Sequence, residues 1–306
     1  MNFSLANMNI TADYLDFYTT KYFYENQIMS DYSKSIIFSV VITICCIGVP
    51  LNGIVIWLLG FQIKRNPFTV LILNLAIADF GVLIFMAIFC IDFFICFIQP
   101  VIPWEIVLSL FKVAYINGLF LLTAISIDRC VAVFYPIWHR CSRPKYLSSS
   151  VCAFLWIFSS ILIGIHHIMK YFFLYDDTWN LHLIVTAVLC LPLITISTVI
   201  LFIKIRMKPE QIKRRRLLVM ILITLLCFLI FTFPLYIFVV STYFLKTENS
   251  FLVYGLDFYL CPSACLNSSI NPVIYFLVGR KKRARTRESI KVVFQRVFRD
   301  DEAPEI

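Results

Sequence analysis

The sequence predicts an all-α membrane protein, a seven-transmembrane helix bundle with a short amphipathic cytoplasmic eighth helix. Three observations predict it. The chain of 306 residues is 60% hydrophobic, with a mean hydropathy of +0.85, and a soluble domain needs far more polar surface than that. Long apolar runs recur, separated by short polar breaks. Lys and Arg collect on alternate breaks, which is the charge bias of a membrane topology.

Five runs carry no charge: 35–63, 146–169, 178–203, 217–245 and 258–279. Each exceeds the roughly 20 residues that cross the hydrocarbon. Two further spans hold charge within them. One runs over 67–95 and contains Asp79; the other runs over 105–134 and contains Lys112. Seven spans put the two termini on opposite sides. Of the 27 Lys and Arg, only Lys21, Lys34, Lys112, Lys170 and Lys246 lie away from the side that bears the C-terminus. Positive charge stays cytoplasmic. The N-terminus is therefore expected outside and the C-terminus inside. Three regions follow: an extracellular tail (1–34), a seven-span membrane domain (35–279) and a basic cytoplasmic tail (280–306).

The net charge of +9 then reports topology and contact with anionic lipid in the bilayer; no nucleic-acid partner is implied. The first 34 residues lack the apolar core of a signal peptide, so the first span is expected to act as its own insertion signal. Asn2 and Asn9 head glycosylation sequons on the outer side. Asn267 heads another, but inside the last span, where it is a false match. Most of the eleven cysteines sit in spans as small apolar residues. Cys96 and Cys261 fall near the outer ends of the second and seventh spans, and both a disulfide and separate thiols are open to them. In the tail, Ile290, Val293, Phe294, Val297 and Phe298 recur at helical spacing among basic residues. That pattern reads as an amphipathic helix on the inner leaflet or, failing that, as a disordered basic tail.

Asp79 is the costly residue. A charge at the bilayer centre costs about 2.5–3.5 kcal/mol on insertion scales and needs a polar partner or a wet cavity. Asp128-Arg129-Cys130 closes the third span, where an acid can hold the arginine until the bundle opens; a snorkelling pair at the interface is the plainer reading. Asn271-Pro272-Val273-Ile274-Tyr275 closes the seventh. Its proline frees a backbone carbonyl, and Asn271 is placed to satisfy freed groups and to reach across to another helix.

Taken together, Asn52, Leu75-Ala-Ile-Ala-Asp79, Asp128-Arg129, Trp156, Pro192, Pro234 and Asn271-Pro-Val-Ile-Tyr275 occur one set per span and in order. The set resembles the rhodopsin-like G-protein-coupled receptors across the whole chain. Arg65-Asn-Pro-Phe-Thr-Val, Leu122-Thr-Ala-Ile-Ser-Ile, the stretch from Tyr135 to Tyr146, Val151-Cys-Ala-Phe-Leu-Trp, Asn267 to Gly279 and Ser289-Ile-Lys-Val-Val-Phe resemble the Mas and Mas-related receptors. Two departures from the wider family fit that subgroup. Trp104 stands where most members carry a bonded cysteine, and Phe231-Thr-Phe-Pro234 replaces Cys-Trp-x-Pro. The fourth-span end has no cysteine for the alternative disulfide found in some Mas-related members.

The resemblance implies several site residues. Asp79, Asn267 and Asn271 would share a wet cavity able to hold sodium, or a purely structural polar cluster. Gly118 stands where relatives have a ligating serine. Asp128, Arg129, Pro234, Asn271, Pro272 and Tyr275 would form the activation switch, and Ile137 would insert into a pocket of the Gα subunit. Arg214 takes the place of the acid that clamps the arginine in many relatives, so ligand-independent signalling is expected. Asp92, Phe111, Lys112, Tyr115, His166 and Asp257 are the candidate ligand pocket. Lys112 either pairs with Asp92 or Asp257, or snorkels between helices, or meets a carboxylate of the ligand. His166 and Ile184 replace acids that suit cationic ligands in relatives. The implied partners are a heterotrimeric G protein of the Gq/11 or Gi class and an extracellular peptide or small molecule, with no cofactor beyond the allosteric sodium ion. Thr286 and Ser289 are the only hydroxyl residues after Gly279, and no cysteine there could carry a palmitoyl anchor. An ion transporter or channel is the alternative, with Asp79, Lys112 and His166–His167 as its path. The absence of a repeat counts against it. An intramembrane enzyme lacks a nucleophile motif.

Overall fold

The computed structural model describes residues 32–95, 104–173, 181–207, 219–232, 250–279 and 290–299. Every element among them is helical. Helix α1 runs Tyr32–Gln62, its last turn (Leu58–Gln62) wound as a π-helix. Then come α2 (Pro67–Ile95), α3 (Trp104–Phe134), a π-helical turn (Trp138–Ser142), α4 (Leu147–Phe173) and α5 (Leu181–Met207). Helix α6 is described over Val219–Thr232, α7 over Ser250–Gly279 and α8 over Ile290–Arg299. Among the described residues, four helices, α1 to α4, are long and apolar enough to cross a membrane. The described stretches Val188–Lys204 and Val219–Thr232 continue that character. The chain divides into two units, Met1–Val40 and Val41–Ile306, and the contacts below all lie within the second.

The boundaries follow local chemistry. Helix α2 starts where Asn66, Pro67 and Thr69 make a reciprocal cap. Thr69 N donates to Asn66 Oδ1 at 2.7 Å, and Asn66 N donates to Thr69 Oγ1 at 2.8 Å. Pro67 takes the first helical position, where a missing N–H is harmless. Helix α1 ends on Ile63 N donating to Leu58 O at 2.9 Å, and the Arg65 guanidinium covers Gly60 O at 3.1 Å. Helix α7 begins at Ser250, earlier than the charge-free run at 258 suggests. Asp257 ends an apolar run, but nothing about an acid stops a helix that has left the hydrocarbon.

Helix α3 is the central element, packed against α2, α4 and α5. Ile116, Leu119, Leu121 and Leu122 are buried along it. Polar side chains stitch the neighbours together. Trp156 Nε1 on α4 donates to Asn74 Oδ1 on α2 at 3.2 Å. Ser159 Oγ on α4 reaches Asn117 Oδ1 on α3 at 3.5 Å. Helix α1 meets α7 on small residues, which let two backbones come close. A Cβ on Gly48 would overlap Ser269 Oγ and lie 2.7 Å from Leu83 Cδ1. Three residues earlier on α1, Cys45 Sγ lies 3.9 Å from Cys265 Sγ.

Pro272, inside α7, corrects one expectation. Pro272 has no N–H to offer the carbonyl of Ser268. That carbonyl is satisfied by Asn52 of α1, whose Nδ2 donates to Ser268 O at 3.0 Å and to Gly48 O at 3.1 Å. Asn271 is thus not the residue that repairs the break, and its amide is left to reach α2. The amphipathic tail helix is α8, with Val293 and Phe294 buried and Lys291 Nζ donating to Gln62 Oε1 at 2.7 Å. The side chains of Val297 and Phe298 lie outside the described residues.

Gly48→Ala is expected to destabilise the bundle by about 1–3 kcal/mol through overpacking. Gly60→Ala, with nothing within 4 Å of the added carbon, is expected to leave stability within about 0.5 kcal/mol. Thermal unfolding midpoints of the two purified variants check the contrast. Equal midpoints would contradict the close α1–α7 approach.

Candidate functional site

Asp79 sits in the middle of α2 and is 4% exposed. Asn271 Nδ2 donates to its Oδ2 at 2.7 Å, and the Ser268 hydroxyl lies beside the same carboxylate. These two α7 residues are three apart and so share a helix face. Asn267 and Tyr275 are buried a turn away on either side. Four oxygens in this region have no protein partner: Asn52 Oδ1, Asn267 Oδ1, Asn271 Oδ1 and Ser269 Oγ. A buried carboxylate with a hydroxyl beside it and unpartnered amide oxygens on the neighbouring residues offers the kind of oxygen donors that a hard cation takes. Across the site, Gly118 of α3 is buried and contributes no side-chain oxygen; a Cβ there would stand 4.0 Å from Ala78 Cβ. The structure brings Asp79 and Asn271 into direct contact. Asn267 Oδ1 makes no such bond, and Ser268, which sequence reasoning missed, takes the second place at the carboxylate. Its position next to Asn267, on the face Asn271 occupies, was the available signal.

At the inner end of α3, Arg129 is 2% exposed. Its Nη2 and Nε donate to Asp128 Oδ2 at 2.6 and 3.2 Å, and its guanidinium lies 4.1 Å above the ring of Phe68 from α2. The expected hold of Asp128 on Arg129 is present. Three further residues join it. Arg143 Nη1 approaches Asp128 Oδ1 at 2.8 Å and donates to His139 Nε2 at 2.6 Å, and Arg143 Nη2 donates to Ser148 Oγ at 2.7 Å. An arginine only donates, so in this contact His139 Nε2 stands on the accepting side. The same nitrogen lies 3.5 Å from Asp128 Oδ1. Sequence reasoning missed Phe68, His139, Arg143 and Ser148. Arg143 and His139 were visible only as part of a basic loop, indistinguishable from charges that report topology. Ile137 projects from this loop and is 79% exposed. Pro272 lies inside α7. Pro234 and Arg214 lie outside the described residues.

At the other end, Phe111 and Tyr115 are buried and stacked, with ring centroids 6.1 Å apart and planes within 6°. Lys112 and Asp92 are half-buried, and neither is free of interactions. His166 is buried, with its ring edge-on to His167 at 5.5 Å. The α3–α4 polar link here belongs to His167, whose Nε2 lies 2.7 Å from Ser109 Oγ. The backbones at Asp257 and Ile184 are helical, but the side chain of Asp257 lies outside the described residues, as does that of Ile184. Cys96, Asn2 and Asn9 lie outside them altogether.

Residues 51–275 match the family model of the 7 transmembrane receptor (rhodopsin family). The chain is 37% identical over 280 residues to the human (Homo sapiens) protein named Proto-oncogene Mas, covering 87% of this chain and 84% of that relative. It is 38% identical over 274 residues to human Mas-related G-protein coupled receptor member D, covering 84% and 83%. To member H from Rattus norvegicus it is 34% identical over 277 residues, covering 86% and 83%.

Asn271→Ala removes the donor from a buried carboxylate and is expected to destabilise by about 1–3 kcal/mol. Asn267→Ala, which removes an unpartnered oxygen, is expected to cost less. Unfolding midpoints of the two variants side by side test the ranking, and a larger loss for Asn267→Ala would contradict it.

Proposed function

Because the chain belongs to the rhodopsin-like seven-transmembrane receptors and, within them, to the Mas and Mas-related receptors, we propose that it carries an extracellular peptide or small-molecule signal to Gq/11 or Gi proteins, with measurable ligand-independent output. A receptor of this family is a multi-pass plasma-membrane protein that partners heterotrimeric G proteins, and it is not an enzyme. The further detail is our reading. The tail 1–34, with Asn2 and Asn9 glycosylated, faces outward; 35–279 is the receptor domain; 280–306 faces the cytoplasm.

One observation carries the reading: Arg129 is held by its neighbour Asp128 and covered by Phe68 of α2. Release of Arg129 toward a Gα subunit requires that both of these contacts open, while exposed Ile137 docks beside it. Arg214, where relatives carry a clamping acid, would repel Arg129. Above the switch, Asp79, Asn267 and Asn271, helped by Ser268, would hold a sodium ion, which supplies positive charge between α2 and α7. Gly118 leaves that site one ligand poorer than in relatives. At the outer end, Phe111 and Tyr115 offer an apolar floor, and Asp92, Lys112, His166 and Asp257 the charged and polar groups of a ligand pocket.

Nucleotide exchange on purified heterotrimeric G protein, driven by the receptor in lipid nanodiscs without ligand, tests the proposal. Exchange above that of empty nanodiscs is expected, falling to that background in Arg129→Gln. Exchange equal to the empty control would sink the ligand-independent reading. In the same assay, raising sodium at constant ionic strength is expected to slow exchange, and Asp79→Asn to abolish the effect. A sodium response that survives in Asp79→Asn places the ion elsewhere.

A further inference from the structure

Among the described residues, the inner charge cluster sets two arginines against one acid. One carboxylate, Asp128, serves two guanidiniums, Arg129 on Oδ2 and Arg143 on Oδ1. His139, beside Arg143 at 2.6 Å, adds no negative charge, since an imidazole is neutral or cationic. Donors also outnumber acceptors: Arg143 Nε is buried without a partner. Arg143 is nonetheless fixed in place, because its other arm is anchored to Ser148 at the start of α4. Both arginine side chains are nearly fully buried, so solvent screens their mutual repulsion weakly.

Resting on the signalling reading above, we propose that Arg143 is a positioning residue for coupling: by sharing Asp128 it loosens the hold on Arg129 and lowers the cost of its release. Two effects act in the same direction. While Arg129 is bound, the second cation cancels much of the field that Asp128 exerts on it. Once Arg129 leaves, Asp128 is still paired, and the large penalty of a buried unpartnered charge is avoided. A chain that lacks the sixth-helix acid would therefore also carry a built-in competitor at the third-helix acid. Residues 143 and 128 are linked by a direct bond, so the effect of one must depend on the other.

The test uses the full chain in nanodiscs and synthetic C-terminal peptides of Gαq and Gαi as probes. Arg143→Gln is expected to weaken binding of the better peptide about fivefold or more. Arg143→Lys, which keeps a cation beside Asp128, is expected to retain most of the affinity. In an Asp128→Asn background Arg143→Gln is expected to change nothing further. Unchanged or tighter binding in Arg143→Gln overturns the proposal. So does a loss that persists in Asp128→Asn, or an Arg143→Lys variant as weak as the glutamine, since either makes Arg143 a mere loop anchor. Failure of the signalling reading shows separately, as absent exchange on the intact heterotrimer by the unsubstituted receptor.

Discussion

The hydrogen bond from Asn271 Nδ2 to Asp79 Oδ2, at 2.7 Å, is the contact on which the bundle's organisation rests. A carboxylate cannot sit among apolar helices unless something donates to it. Asn271 can do so only because another residue handles the break that Pro272 makes in α7. Asn52 of α1 takes the freed carbonyl of Ser268, and Gly48 lets α1 come close enough to do it. Three helices are thus joined through one side-chain pair and one backbone defect. The bond is directional and buried, so a small shift of α7 breaks it rather than stretching it.

Helix α2 links this centre to the inner face. Asp79 lies about three turns from Phe68 on the same helix, and Phe68 covers the guanidinium of Arg129. Asn74, between them, is tied to Trp156 of α4. A movement of α2 that disturbs Asp79 must also move the ring that covers Arg129. The inner cluster has its own bias, with two arginines on one acid. Restraint at Asp79 and loose charge balance at Asp128 oppose each other, which is the arrangement expected of a two-state element.

Much of this was legible in the sequence, for identifiable reasons. Hydropathy and the bias of Lys and Arg mark the spans, because every backbone group in lipid must be satisfied internally and helices do that. The run 67–95 matched α2 because Asn66-Pro67 is a cap written in residue types. Asp79, Arg129 and Asn271 stood out because polar residues in spans are costly. What the sequence hid were contacts between ordinary residues. Asn52 catching Ser268 O depends on which helices adjoin and on the depth at which they meet. Arg143 reads as one more inner-face cation, and only the fold of the loop brings it back onto Asp128. Ser268 looked like filler beside Asn267, since the choice between them turns on one helical step of about 100°. The start of α7 was misjudged because charge marks the edge of the hydrocarbon and not the end of a helix.

The reciprocal exchange of the central pair is the most direct test. Asp79→Asn, Asn271→Asp and the double variant would be compared by thermal unfolding midpoint in lipid nanodiscs. If the Asp79–Asn271 bond joins α2 to α7 as described, each single change lowers the midpoint and the double change recovers most of the loss. The amide introduced on α2 can then donate to the carboxylate introduced on α7 across the same gap. A double variant no more stable than the weaker single one would contradict the account.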